Sequence, residues 1–166
     1  DACTSADPYV YTTNDSGQTI YGLNGNDTIT AGAGDDTIDG GSNEDLIYAG
    51  DGNDTVYGGT YWDTIYGGNG NDTVFGDNGS DTVYLEAGDD IFNDNTQTGN
   101  NGRDTVFGGT GNDTINGGGG EDTCDGGSGA DIIVGGADAD TLTGGSESDT
   151  FRFADGDGTD VVTDFA

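Results

Sequence analysis

An apolar residue returns at every ninth position along most of this chain, with polar residues on either side. The series runs Ile29, Ile38, Ile47, Val56, Ile65, Val74, Val83 and Phe92. It resumes at Val106, Ile115, Cys124, Ile133, Leu142 and Phe151, with a last member at Val162. Two residues before each stands an aspartate: Asp27, Asp36, Asp45, Asp54, Asp63, Asp72, Asp81 and Asp90, then Asp104, Asp113, Asp122, Asp131, Asp140, Asp149 and Asp160. The residue between them is mostly Thr. Polar–apolar–polar alternation over three or four residues predicts a short strand with one face buried. A single strand of that length does not stand alone. Stacked copies do, because each turn of a coil pairs with the turns on either side.

Glycine fills the space between the predicted strands. Gly67-Gly68-Asn69-Gly70-Asn71-Asp72-Thr73-Val74-Phe75 is the type unit, and Gly108 to Asn116 nearly repeats it. A turn built on such residues needs positive φ, which glycine adopts without steric cost. It aims several backbone carbonyls at one place, those of Gly67, Gly68, Asn69 and Gly70 in one unit and of Gly108, Gly109, Thr110 and Gly111 in the other. Adding the aspartate carboxylate makes an all-oxygen donor set. That set suits a hard cation, and Ca2+ better than Mg2+, which demands stricter geometry and retains its water.

Composition sharpens this picture. The 166 residues carry 33 acidic and 2 basic side chains, a formal charge of −31, with no His and no Met. A chain so acidic and so modestly apolar is ordinarily disordered, so something positive has to belong to its folded state. The same charge argues against nucleic acid and against anionic lipid as partners. No apolar run reaches transmembrane length. The start at Asp1, without Met or leader pattern, reads as a processed or artificial end. Catalysis has little to work with: there is no His, no Lys and no activated Ser or Cys setting. The carboxylates are accounted for as ligands, and a roll offers no cleft for a glycosidase-type pair. Cys3 and Cys124 are too few for a disulfide framework. Cys124 falls on an inward apolar position and reads as a small core residue, whereas Cys3 lies outside the repeat.

The unit Gly-Gly-X-Gly-X-Asp-X-apolar-X resembles the glycine-rich calcium-binding nonapeptide repeats of RTX proteins. The resemblance covers about Gln18 to Phe165. It implies an all-β fold: a right-handed parallel β-roll, or β-solenoid, with two short-stranded parallel sheets and 18 residues per turn. It also implies that each Ca2+ lies between loops one turn apart, held by their aspartates and loop carbonyls. One side would carry Asp27, Asp45, Asp63, Asp81, Asp104, Asp122, Asp140 and Asp160, and the other the seven remaining aspartates. Eight loops leave seven gaps and seven leave six, so the roll would take up to about 13 ions. Their charge of about +26 would nearly cancel the −31 of the chain. Residues 1–17 are expected to form an N-terminal capping segment, with a β-prone stretch at Pro8 to Thr13. Residues 18–152 are the roll, with an insertion near 94–98, and 153–166 form a C-terminal capping segment.

Four loops depart from glycine at the fourth position, with Asn43, Tyr61, Asp138 and Glu147. Tyr and Glu tolerate left-handed backbone poorly, so distorted, weak or empty sites are expected beside Asp63 and Asp149. Asp155 to Asp160 hints at an EF-hand loop but lacks its Gly and its closing Glu. Outward aromatic residues fall one above another: Tyr48, Tyr66, Tyr84 and Phe107 on one sheet, Tyr57 and Phe75 on the other. They either stabilise the sheets or form a candidate partner surface, together with the loop pair Tyr61-Trp62. A Thr ladder on the same sheet is explained by β propensity.

These features point to a secreted or cell-surface, non-catalytic protein that folds on binding Ca2+ and leaves the cell as an open chain, and the resemblance implies that it does so by type I export. Its expected role is structural, with self-assembly into a homo-oligomer or filament. The alternatives are a folding and secretion module of a larger protease or epimerase, and an ice- or carbohydrate-binding adhesin module.

Overall fold

The structure is a computed structural model and describes residues 10–12, 17–94, 102–154 and 156–164. It is a parallel β-solenoid of two sheets, nine-stranded and eight-stranded, filled by alternate strands of the chain. The nine-stranded sheet begins at Val10–Thr12, continues through Thr28–Ala33 and Leu46–Asp51, and ends at Val161–Val162. The eight-stranded sheet runs from Thr19–Tyr21 to Thr150–Phe151. Every strand pairing is parallel, and Ile47 sits directly above Ile29, 18 residues away. Among the described residues no helix is long and apolar enough to cross a membrane.

The expected strands of three or four residues are six residues long in most repeats, as in Thr64–Asn69. The alternation of side chains marks only their first half. Their second half is glycine-rich and carries no hydropathy signal, yet its backbone pairs in register, Gly50 with Gly68 and Asp51 with Asn69. Glycine is favoured at this second position because the turns approach so closely, and Leu23, Asp77 and Glu86 hold it at smaller positive φ, between 63° and 77°. A Cβ on Gly68, at φ 111°, would run into the carbonyl of Gly50.

The inward residues of the nonapeptide series form one core from Ile20 to Leu142, all buried, with Phe151 and Val162 partly buried against it. Ala31, Ala49 and Leu85 join them from the first position of three loops. Cys124 is a buried free thiol in this seam, as its place in the series predicts, and Cys3 lies outside the described residues. The strand Val10–Thr12 pairs with Thr28–Thr30 at one end of the nine-stranded sheet.

The loops at Tyr61 and Glu147 stay in the left-handed region that glycine occupies elsewhere. Asn43, Tyr61, Asp138 and Glu147 all take φ between 79° and 85°, against 125° at Gly70 and 130° at Gly111. Neighbouring turns hold Tyr61 and Glu147 in a backbone conformation that such residues rarely adopt. The Tyr61 N–H donates to the Asn78 carbonyl at 2.7 Å, and the Glu147 carboxylate accepts from the Gly129 N–H at 2.8 Å.

Candidate metal centre

The repeat places one aspartate carboxylate at the end of each turn, pointing into the roll. Asp27 to Asp140 of the series are all at most 3 % exposed, while Asp149 and Asp160 are half-buried at one end. Each carboxylate is fixed by one oxygen. Oδ1 of Asp72 accepts from the Asp54 N–H one turn away at 2.8 Å, and Asp72 N–H donates in turn to Oδ1 of Asp90 at 2.7 Å. The same bond recurs across the longer step, from Asp81 N–H to Asp104 Oδ1 at 2.8 Å.

The second oxygen has no such partner. From Asp36 through Asp140, the Oδ2 atoms of the series are buried and accept no hydrogen bond. Leaving a buried acceptor unsatisfied costs about 1–3 kcal/mol, and more for a charged group. The unmet atoms lie in register along both edges of the roll. Only two arginines are present. Arg103 is exposed and pairs with Glu121, and the Arg152 side chain is also at the surface.

Electrostatics say the same thing. Burial pushes the carboxyls of Asp45, Asp63, Asp72, Asp113 and Asp122 up to about 7, against the pull of the N–H each accepts. Asp54, Asp90 and Asp104 rise to about 6 for the same reason. Asp81 rises to about 9, with Asp104 and Asp63 adding like charge. Asp131 and Asp140 are raised as well, again first by burial.

Oxygen from the neighbouring turn completes the setting. The point where a Cβ on Gly67 would stand is 2.7 Å from Asp72 Oδ2 and 2.8 Å from the Leu85 carbonyl. On the other edge, the corresponding point at Gly117 is 2.7 Å from both Asp122 Oδ2 and the Gly135 carbonyl. Glycine there leaves a cradle lined by a carboxylate oxygen and a carbonyl. An all-oxygen donor set with flexible geometry and an unneutralised carboxylate fits Ca2+. No cluster of three or more His, Cys, Asp or Glu side chains converges among the described residues, so backbone carbonyls have to supply most of any shell.

The predicted carbonyl donors lie mainly on strands rather than free loops. Gly67, Gly68 and Asn69 belong to Thr64–Asn69, and Gly108, Gly109 and Thr110 to Thr105–Thr110. The Asn69 carbonyl accepts from Gly52 N–H and the Thr110 carbonyl from Gly88 N–H, each keeping a second lone pair. Gly70 and Gly111 form the bends that follow, at φ 125° and 130°.

The sequence reading missed two things here. One is an Asx ladder along one edge, in which Asn71 N–H donates to Asn53 Oδ1 at 2.8 Å and Asp89 N–H to Asn71 Oδ1 at 3.0 Å. The recurring Asn or Asp at position five signals it. The other is Asp94, which is buried. Its N–H donates to the Asn116 carbonyl at 3.0 Å, so Asp94 stays on the roll, and 95–98 of the expected insertion lie outside the described residues. The candidate partner residues divide. Tyr61 and Trp62 are 61 % and 65 % exposed, whereas Tyr48, Tyr66, Tyr84 and Phe107 stack ring on ring at 4.8 to 5.1 Å.

A family profile agrees with this geometry. No curated protein matches the chain. A solved structure described as a hyperactive, Ca2+-dependent, beta-helical antifreeze protein from an Antarctic bacterium is 24 % identical, with a TM-score of 0.36. The match covers 95 % of this chain and 59 % of that one, so the chain spans about three-fifths of its length. The family profile for the RTX calcium-binding nonapeptide repeat (4 copies) matches residues 12–47, 40–60, 57–92, 98–133 and 125–160. The chain belongs to the family of RTX calcium-binding nonapeptide repeats.

Proposed function

We propose that this chain is a non-catalytic structural rod that works outside the cell and folds only when Ca2+ fills its loops. The single observation behind this reading is the register of buried, unpartnered Oδ2 atoms from Asp36 to Asp140. A dry stack of like charges is costly unless it is paired or coordinates metal. The ligands are the fifteen aspartates of the series, from Asp27 to Asp160, with carbonyls of the turns between them. Up to about 13 ions enter, one per gap between stacked loops. Binding free energy is then folding free energy. Calcium near millimolar outside a cell populates the rod, and the low cytosolic level leaves the chain open for export.

Self-association is the structural part of this role. Among the described residues, the outermost strand Val161–Val162 of the nine-stranded sheet pairs on one side only. A one-sided strand edge is a template for another chain, and head-to-tail contacts between identical rods propagate. Circular dichroism and sedimentation, each in chelator and in millimolar Ca2+, test both statements. The expected result is a disordered spectrum in chelator, a β spectrum in Ca2+, and a calcium-dependent mass that is a multiple of 16.7 kDa. Equal β spectra in both media overturn the calcium reading. A strictly monomeric rod in Ca2+ overturns self-association alone.

A further inference from the structure

In the turns that follow Ile20 to Leu142, the first position of the nonapeptide is small or aliphatic in every case but one. It is glycine in most, and Ala31, Ala49 and Leu85 are its fully buried aliphatic exceptions. Asp94 is the charged one among them, and it is only 1 % exposed. Asp164, at the same position in the last turn, is half-buried and accepts from the Gly144 and Gly145 N–H groups. Asp94 follows Phe92 by two residues, as Gly67 follows Ile65, and its N–H makes the ladder bond that Gly22 N–H makes to the Asp39 carbonyl. Asp94 thus stands where other turns leave the oxygen-lined cradle beside the aspartate of the same turn, here Asp104.

Among the described residues, that carboxyl has several acidic neighbours. The Asp94 carboxyl meets that of Asp104. It accepts from the Asp77 N–H and lies within electrostatic reach of Asp122 and Asp77. From the preceding turn comes Asp81, 1 % exposed, whose Oδ2 is buried without a partner and which feels both Asp104 and Asp94. Arg103, next to Asp104 in the chain, turns outward to Glu121 instead. Two carboxylates in contact in a dry interior repel, and a cation between them turns that repulsion into attraction.

We propose that Asp94 and Asp104, with Asp81 from the preceding turn, form a Ca2+ site of its own kind, in which Asp94 adds a second buried carboxylate to that of Asp104 and makes it the tightest site of the roll. The proposal rests on the calcium reading above and adds a rank order to it. Ligand charge count is a main determinant of Ca2+ affinity among oxygen sites. Ordinary turns offer one buried carboxylate each and carbonyls, and here two buried carboxylates meet. It is the first to fill as Ca2+ rises, and it prefers a trivalent lanthanide over Ca2+ more strongly than its neighbours do.

Two variants test this on the full chain. Asp94→Ala inserts the residue that Ala31 and Ala49 already carry, fully buried, at this position. Asp94→Asn keeps an oxygen that can accept from Asp77 N–H but removes the charge. In calcium titration by calorimetry, the wild type is expected to show one ion bound about tenfold or more tighter than the rest. Both variants lose that class while reaching the same β signal at saturating Ca2+. A tight class that survives in either variant overturns the proposal, since Asn rescue would reduce Asp94 to a hydrogen-bonding staple. The wild type alone supplies a second measurement. Trace gadolinium added to the Ca2+-loaded rod should broaden NMR signals around Asp81 and Asp104 first, and broadening that starts evenly along the roll also overturns it. A wild type that binds no Ca2+ overturns the calcium reading as well, and is distinguished by its flat titration.

Discussion

At the scale of single residues, two adjacent glycines do different work. Gly67, at the first position, faces the cradle between Asp72 Oδ2 and the Leu85 carbonyl. Its turn tolerates a small side chain, because Ala31 and Ala49 occupy the equivalent place and are fully buried. Gly68, at the second position, has φ 111° and lies against the Gly50 backbone. A methyl group there meets a carbonyl that is itself pinned in the sheet, and the backbone angle is strained for any L residue. Gly68→Ala is therefore expected to destabilise the Ca2+-loaded rod by at least about 1 kcal/mol more than Gly67→Ala, measured by urea unfolding. Equal losses at the two positions would show that the close approach of the turns is not what selects glycine. Both residues are legible in the sequence as glycines of a repeat. Their separate reasons are not, since one depends on a carboxylate five residues on and the other on a carbonyl eighteen residues back.

At the scale of the strand, the outward aromatic row changes meaning once its geometry is known. Tyr48, Tyr66, Tyr84 and Phe107 were legible as a ladder from their spacing, and their rings do stack, with interplanar angles of 8° to 11°. Stacking turns the ring faces toward each other, so Tyr66 and Tyr84 spend both faces inside the row. What they offer to solvent is ring edges and hydroxyls, not a flat apolar plate. Beyond the ends lie Thr30, paired with Tyr48, and Asp125, paired with Phe107. The row thus acts first as a staple across successive turns, which is the stabilising reading. A Tyr66→Ala change removes two ring contacts and is expected to cost roughly 1–3 kcal/mol in saturating Ca2+, whereas Tyr48→Ala removes one and costs about half as much. Chemical denaturation of the two variants checks the ratio, and a Tyr48 loss equal to that of Tyr66 counts against the staple. Strand length was less legible than this row. Alternation ends at the third strand residue, and the glycine half of each strand is visible only through its backbone pairing. Asp94 was hidden for a related reason: the step between aspartates after Asp90 exceeds nine residues, and only its distance from Phe92 places Asp94 at the first position of its turn.

At the scale of the whole molecule, the rod carries its instability and its trigger in the same atoms. The stacked short strands were readable because one nine-residue period sets core, turn and acid together, while the two sheets and the 18-residue turn came from the resemblance to RTX repeats. What period alone does not show is the charge state of the buried column without metal. Burial raises Asp45, Asp63, Asp72, Asp113 and Asp122 to about 7 and Asp81 to about 9. An unfolded aspartate titrates near about 3.9. Between those values the open chain has released protons that the folded chain retains, so folding there takes up protons and weakens as pH rises. The stability these groups permit is fully present below about pH 4 and is lost as pH climbs through about 6 to 9. The metal-free chain is therefore expected to gain β signal when a chelator solution is brought from pH 8 to pH 4, as protons take the place of cations on Oδ2. With Ca2+ present the dependence reverses, because protons now compete with the ion for the same oxygens. The Ca2+ midpoint should move to higher concentration as pH falls from 8 to 5. Circular dichroism across the two series measures both slopes. A metal-free chain equally open at pH 4 and pH 8 would mean that the acidic column is not what keeps the roll unfolded. A Ca2+ midpoint indifferent to pH would mean that the buried carboxylates are not the ligands. The two slopes have opposite sign only if one set of atoms serves both ions.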